Sequence, residues 1–366
     1  MRPTNLRRWP ITSQRALAER TDGTPSRKAD HVRINMERDV GAKGISNGFD
    51  AFRLVNCALP EVDLAEIDTT TKFFNRKLQA PILISCMTGG SPESAQINQI
   101  LAQVAQERKL AMGLGSGRAL LEHPELKETF DVRDIAPDVL LFANLGAVQL
   151  NRGYGVDDCR RLVEMLAADA LVLHLNALQE ALQPEGDTFF GGLLRQIEHI
   201  CSRLEVPIVV KEVGWGIDPE VVRRLLDAGV AAIDIAGAGG TSWSEVERHR
   251  ITEPWRARVA AQFSGWGIST AEALRAARNG YPLATIIGSG GIHTGMDVVK
   301  AIALGADLVG IAGPFLRAAG AGYEAAAELA AELCQVLRVA MFALGERNIQ
   351  NLRVTERILH RDERLR

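Results

Sequence analysis

The stretch Ile287-Gly288-Ser289-Gly290-Gly291-Ile292, continuing into His293-Thr294-Gly295-Met296-Asp297, runs an apolar segment into a glycine turn and then into a helix start. The next unit ends the same way, in Val309-Gly310-Ile311-Ala312-Gly313-Pro314-Phe315. Glycines at strand ends let backbone N–H groups close around phosphate oxygens, and the following helix N-terminus adds a favourable dipole. One such turn is only a turn. Two on consecutive units, where (β/α)₈ barrels commonly hold phosphate, point to phosphate binding on a barrel.

Working outward from this pair, the chain alternates short apolar runs with amphipathic stretches from residue 80 onward. The runs are 81–85, 110–115, 139–145, 170–175, 207–211, 231–236, 283–288 and 307–312. Apolar residues on consecutive positions suit strands buried on both faces of a parallel sheet. Between them lie helical spacings such as Ile97, Ile100, Leu101, Val104 and Ala105. Asp218-Pro219 opens another helix with an N-cap residue and a proline at the first helical position. Eight strands, each followed by a helix, predict a single (β/α)₈ TIM barrel over residues 27–366. A doubly wound open sheet competes by strand count, but Met87-Thr88-Gly89-Gly90 stands where that fold would carry a GxGxxG. Residues 27–79 are expected to cover one barrel end. Residues 241–267, with Trp243, Trp255 and Trp266, are too long for a plain loop and predict a structured insertion at the active face.

Composition excludes several classes. A formal charge of −3 over 366 residues is not that of a general nucleic-acid binder. No apolar run approaches a membrane span. The cysteines Cys57, Cys86, Cys159, Cys201 and Cys334 form no CxxC pair, which fits reduced thiols in a soluble cytoplasmic protein. Residues 1–26 carry Arg2, Arg7, Arg8, Arg15 and Arg20 with no acid before Glu19. They are expected to be a disordered extension rather than a transit peptide.

In a barrel, function belongs at the C-terminal strand ends. Those ends read Met87-Thr88-Gly89-Gly90, Gly115-Ser116-Gly117-Arg118, Asn144-Leu145-Gly146 and His174-Leu175-Asn176-Ala177-Leu178-Gln179-Glu180, then Lys211-Glu212-Val213-Gly214 and Gly237-Ala238-Gly239-Gly240-Thr241. Singly, His174 could be a hydrogen-bonded core histidine. Lys211 is harder to place in a core, because an unpaired buried lysine is costly. Polar residues at all eight ends predict an active site.

Taken together, these stretches resemble the type 2 isopentenyl diphosphate isomerases, flavin-dependent enzymes of isoprenoid biosynthesis built on an FMN-dependent type of TIM barrel. The most specific pieces are Arg27-Lys28-Ala29-Asp30-His31, Met87-Thr88-Gly89-Gly90, His174 to Glu180, and Gly237 to Trp243, with Ala58-Leu59-Pro60-Glu61 also similar. The resemblance implies conversion of isopentenyl diphosphate to dimethylallyl diphosphate with FMN, Mg²⁺ and NADPH as a transient reductant. It implies that Met87, Thr88, Gly89, Ser116, Asn144, Lys211, Thr241, Gly290, Gly291, His293, Ala312 and Gly313 hold the flavin. Arg27, Lys28, Ser116, Gly117, Arg118 and Gln179 would contact substrate, and Glu180 would bind the metal. Gln179, His174 and Lys211 would serve catalysis, the flavin itself being the acid–base group. A homotetramer or octamer is implied as well. Two positions depart from the family pattern: Gly117, where glutamine is more frequent, and His293, where arginine is frequent.

Three other functions compete. A flavin-dependent 2-hydroxy-acid oxidase on the same barrel would want a histidine base, and none stands in Gly237 to Thr241. A nucleotide reductase would want a nucleophilic cysteine on an active-face loop, and only Cys86 lies near one. A barrel kept for binding alone would need few of the polar ends.

Overall fold

Eight parallel strands close into a barrel in chain order: β1 (Ile82–Ile84), β2 (Ala111–Gly113), β3 (Leu141–Gly146), β4 (Ala170–His174), β5 (Ile208–Lys211), β6 (Ala232–Asp234), β7 (Ile286–Ser289) and β8 (Leu308–Ile311). The computed structural model describes residues 24–364, of which 24–29 are described by backbone alone. Each strand falls on one of the eight apolar runs, β3 and β7 reaching one residue further than their runs. β8 pairs with β1 through Val309–Ile82 and Ile311–Ile84, so no edge is left open.

Alternate side chains enter the barrel. Leu83, Ala111, Phe142, Ala170, Val172, Val209, Ala232, Ile287 and Leu308 form one buried interior cluster. Their neighbours, among them Ile82, Met112, Leu171, Val210, Ile233 and Val309, belong to a second cluster shared with the surrounding helices. Burial on both faces explains the unbroken apolar runs, and each large side chain buried contributes about 1.5–3 kcal/mol. Helix Pro219–Asp227 is capped as its sequence predicts, with Asp218 Oδ1 accepting from the N–H groups of Glu220 and Val221 at 2.9 and 3.1 Å.

The segment expected to cover one end reaches both. A hairpin of strands Thr71–Phe73 and Arg76–Leu78 inserts Phe73 and Leu78 into the interior cluster at the N-terminal mouth. Phe73 stacks against Phe142 of β3, ring centroids 6.4 Å apart, and Arg76 pairs with Asp169 at 2.7 Å just before β4. At the other mouth lies helix Thr24–Glu37, which meets helix Trp243–Arg250 through His31 and Trp243, rings 5.1 Å apart. Residues 241–267 contribute this helix and a second, Pro254–Ala261, although Trp255 and Trp266 stay exposed. The extension anticipated over 1–26 lies outside the described residues except for 24–26, which are helix instead. Pro25, with its fixed φ, suits a first helical turn.

Candidate active site

One step further along the interior alternation, toward the strand C-termini, the residue type changes on every strand. Leu83 gives way to Ser85, Phe142 to Asn144, Val172 to His174, Val209 to Lys211, Ala232 to Asp234 and Ile287 to Ser289; Gly113 and Gly310 follow Ala111 and Leu308. The period of two that fills the barrel with apolar side chains thus aims a polar ring at its open mouth. Ser85, Asn144, His174, Lys211, Ser289 and Gly310 line a cavity of about 300 Å³ at that mouth.

Sheet register sets His174 beside Lys211 and Lys211 beside Asp234. His174 Nδ1 lies 2.8 Å from Asn144 Oδ1, an oxygen that can only accept, so Nδ1 carries the proton. Lys211 Nζ donates to the Glu212 carbonyl at 2.6 Å. Asp234, 2% exposed, accepts from Ser289 Oγ at 2.5 Å. Burial pushes its carboxyl upward, and the Lys211 charge opposes this. The Glu212 carboxylate accepts from the N–H groups of Val213, Gly214 and Trp215 at 2.6–2.8 Å, clamping a loop whose Val213 and Gly214 line the cavity. Burial lifts it to about 7 against those three donors. Cys86 is driven by burial to about 12, so it remains a thiol and offers no nucleophile.

The glycine turns interlock backbone to backbone. Gly290 and Gly291 have φ of 103° and 64°, and a Cβ on Gly290 would stand 2.1 Å from the Gly237 carbonyl oxygen. A Cβ on Gly240 would stand 2.4 Å from Gly291 N. Only glycine permits this approach, which leaves a side-chain-free cradle over β6, β7 and β8 suited to a phosphate.

Across the mouth, Gln179 Nε2 donates to Glu247 Oε1 at 3.0 Å, and His31 Nε2 lies 3.1 Å from the same oxygen. The Glu247 side chain has no exposed surface. Burial alone would raise it, but His31, Gln179 and Arg250 together hold it at about 2. Glu180 accepts from Asn176 Nδ2 at 2.8 Å and from Gln183 Nε2 at 2.5 Å. The buried Asn176 Oδ1, Gln183 Oε1 and Ser85 Oγ have no hydrogen-bond partner. Buried acceptors left unpaired on a cavity wall call for a ligand, and oxygens grouped with one carboxylate suit a hard cation that also takes substrate oxygens.

These features agree with the comparisons. A profile of the FMN-dependent dehydrogenase family matches residues 172–360. A protein of Nostoc sp. called isopentenyl-diphosphate delta-isomerase is 49% identical over 330 residues, covering 90% of this chain and 94% of its own. One of the same name from Synechocystis sp. is 50% identical over 331 residues, covering 90% and 95%. The chain belongs to the isopentenyl-diphosphate delta-isomerase family. Among solved structures, a flavocytochrome b2 double mutant with pyruvate bound superposes with a TM-score of 0.68 at 20% identity, covering 90% of this chain and 82% of that one. A Pediococcus acidilactici lactate oxidase gives 0.63 at 16%, covering 91% and 87%. At such identities the likeness is one of fold.

Within this family reading, the structure brings nearly all the anticipated site residues to one cavity. Met87, Thr88, Gly89, Ser116, Arg118, Asn144, His174, Gln179, Glu180, Lys211, Thr241, Gly290, Gly291, His293, Ala312 and Gly313 all line the cavity. Gly117 does not. A Cβ there would lie 2.4 Å from Leu162 Cδ1, so the position faces the helix layer, while its N–H donates to the Asn144 carbonyl at 2.7 Å. A side-chain contact to substrate is therefore not available from Gly117. The side chains of Arg27 and Lys28 lie outside the described residues. Sequence reasoning missed Ser85, Asp234 and Ser289 as a set, although strand alternation could have found them. Glu247 carries no such local signal; it sits in a helix of mixed polar residues and is placed by the insertion.

Proposed function

We propose that this chain isomerises isopentenyl diphosphate to dimethylallyl diphosphate, with FMN in the barrel mouth and Mg²⁺ on the substrate diphosphate. The observation that carries the reading is the meeting, in one cavity, of a glycine phosphate cradle, the Lys211 ammonium and the oxygen-rich Glu180 group. Gly290, Gly291 and Gly313 would hold the flavin phosphate by backbone N–H groups, and Thr88, Asn144 and Lys211 would contact the flavin. Reduced FMN supplies an electron-rich ring able to exchange a proton with an alkene and to favour a neighbouring carbocation electrostatically. Lys211, positively charged beside the flavin, would favour its anionic reduced form.

The chain's own residues do the rest. Arg118, beside Glu122 at 3.4 Å, faces the cavity and would take a diphosphate oxygen. Glu180, with the orphan oxygens of Asn176 and Gln183, would hold Mg²⁺ by the usual combination of carboxylate and phosphate ligands. Gln179, fixed by Glu247, and His174, fixed by Asn144, would orient the alkene rather than shuttle protons alone. Arg27 and Lys28 would add cations from the N-terminal helix. NADPH would reduce the flavin without residing in the site, and the working form would be a cytoplasmic homo-oligomer. Among the described residues no helix is long and apolar enough to cross a membrane.

The purified protein is to be incubated anaerobically with isopentenyl diphosphate, FMN and Mg²⁺, with and without dithionite or NADPH. Dimethylallyl diphosphate should form only when the flavin is reduced. Absence of product with reduced FMN bound would overturn the proposal and send the search to 2-hydroxy acids.

A further inference from the structure

Among the described residues, three lysine or arginine side chains line the cavity, and two of them are engaged. Arg118 faces Glu122, and Lys211 donates to the Glu212 carbonyl. The third, Arg317, has no hydrogen-bond or ion-pair partner among the described residues. It lies one turn into helix Gly313–Ala321, whose first residue belongs to the glycine cradle. Its guanidinium folds back onto that end of the helix: Nη1 would be 3.2 Å from a Cβ on Gly313. The glycine leaves the guanidinium room to lie over the helix start.

The cradle needs such a charge. Gly290, Gly291 and Gly313 offer neutral N–H groups, whereas a phosphate monoester carries close to two negative charges at neutral pH. The carboxylate beside the β7 turn, Asp297, is committed to a helix cap, accepting from His293 N, Thr294 N and Thr294 Oγ1 at 2.9–3.0 Å. His293 stands at the position where the family resemblance leads one to expect arginine. A guanidinium is permanently charged and matches phosphate oxygens in a two-pronged fork, which an imidazole cannot do.

We propose that Arg317 is the cation of the flavin phosphate site, supplying from the neighbouring β8 unit the permanently charged fork that a histidine at position 293 does not. This rests on the FMN reading above. It makes Arg317 the residue by which the barrel distinguishes FMN from riboflavin, its analogue without the phosphate.

The test is equilibrium binding of FMN and of riboflavin to the full chain freed of flavin, followed by quenching of flavin fluorescence. Arg317→Ala should weaken FMN by about tenfold to a hundredfold, the range of a charge-assisted hydrogen bond, and leave riboflavin unchanged. Arg317→Lys, which keeps the charge and loses the fork, should fall between parent and alanine variant. FMN affinity in Arg317→Ala should also depend less on salt. Parental FMN affinity in Arg317→Ala, or equal loss for both flavins, would overturn the assignment. A parent that binds neither flavin would overturn the FMN reading itself, and Arg317's role with it.

Discussion

At the scale of single residues, Glu247 shows how one buried charge organises the site. Its Oε1 receives both Gln179 and His31, while Arg250 reaches its other oxygen at 2.9 Å. A carboxyl held near 2 rather than 4.5 stabilises the fold at neutral pH, and that contribution is lost as pH falls from about 4.5 towards 2. The shift corresponds to about 3 kcal/mol. Glu247→Gln should therefore lower the urea midpoint at pH 7 and flatten its decline between pH 5 and 2. Glu247→Ala, which removes the acceptor altogether, frees Gln179 to turn, and a misplacement of about 1 Å commonly costs about a hundredfold in rate. A kcat equal to the parent's would remove Gln179 orientation from the mechanism. Glu180→Gln keeps the size and shape of the side chain but removes the carboxylate charge. It should raise the Mg²⁺ concentration needed for half-maximal turnover, read from a metal titration at fixed substrate.

Elements tell a second story, in which loops and turns matter more than strands. Asp169, just before β4, accepts from Leu141 N at 2.9 Å, and Asp307, just before β8, accepts from Ile286 N at 2.9 Å. Each aspartate also meets an arginine, Arg133 or Arg278, that hooks a run of loop carbonyls. The same clasp thus closes the N-terminal ends of β3–β4 and of β7–β8, half a barrel apart. The hairpin plug completes that end. Phe73 is 3% exposed, and Phe73→Ala should cost about 3–5 kcal/mol in thermal or chemical unfolding, because a sealed barrel end cannot collapse onto the hole. The opposite mouth tolerates even less change at its turns. Gly290→Ala must place a methyl 2.1 Å from the Gly237 oxygen at a φ of 103°, so the β6 and β7 turns have to separate. Flavin binding should be lost while far-UV circular dichroism stays that of the parent; unaltered FMN affinity would show that the interlocked turns do not form the cradle.

For the molecule as a whole, the two mouths have opposite character: one plugged by Phe73 and Leu78, the other lined with polar groups that lack partners. Ligand binding should therefore act from one side. FMN at a hundredfold excess over its Kd should raise unfolding free energy by about 2.7 kcal/mol. Amide exchange should slow at the Gly290 and Gly313 turns and stay unchanged in the hairpin at 71–78. Protection of the hairpin alone would place the ligand elsewhere.

What the sequence by itself determined was the barrel. Strands buried on both faces must be continuously apolar, and a strand end that meets phosphate must be glycine-rich, so β1 to β8 and the turns at Gly290 and Gly313 were legible from local pattern. The same local logic marked His174, Lys211, Gln179 and Glu180, because polar residues at and just beyond the ends of such strands are not required by a core. Only the tertiary structure decided what joins across the mouth. Glu247 lies 68 residues from Gln179 and 216 from His31 in the chain, so no periodicity links them; burial by the insertion and the N-terminal helix does. Gly117 depends on the fold for a related reason: its neighbours Ser116 and Arg118 face the cavity, but the direction of its own missing side chain depends on where Leu162 packs. Position along a strand is written locally, whereas the pairing of charges over a cavity depends on which elements the closed barrel brings within a few ångströms of each other.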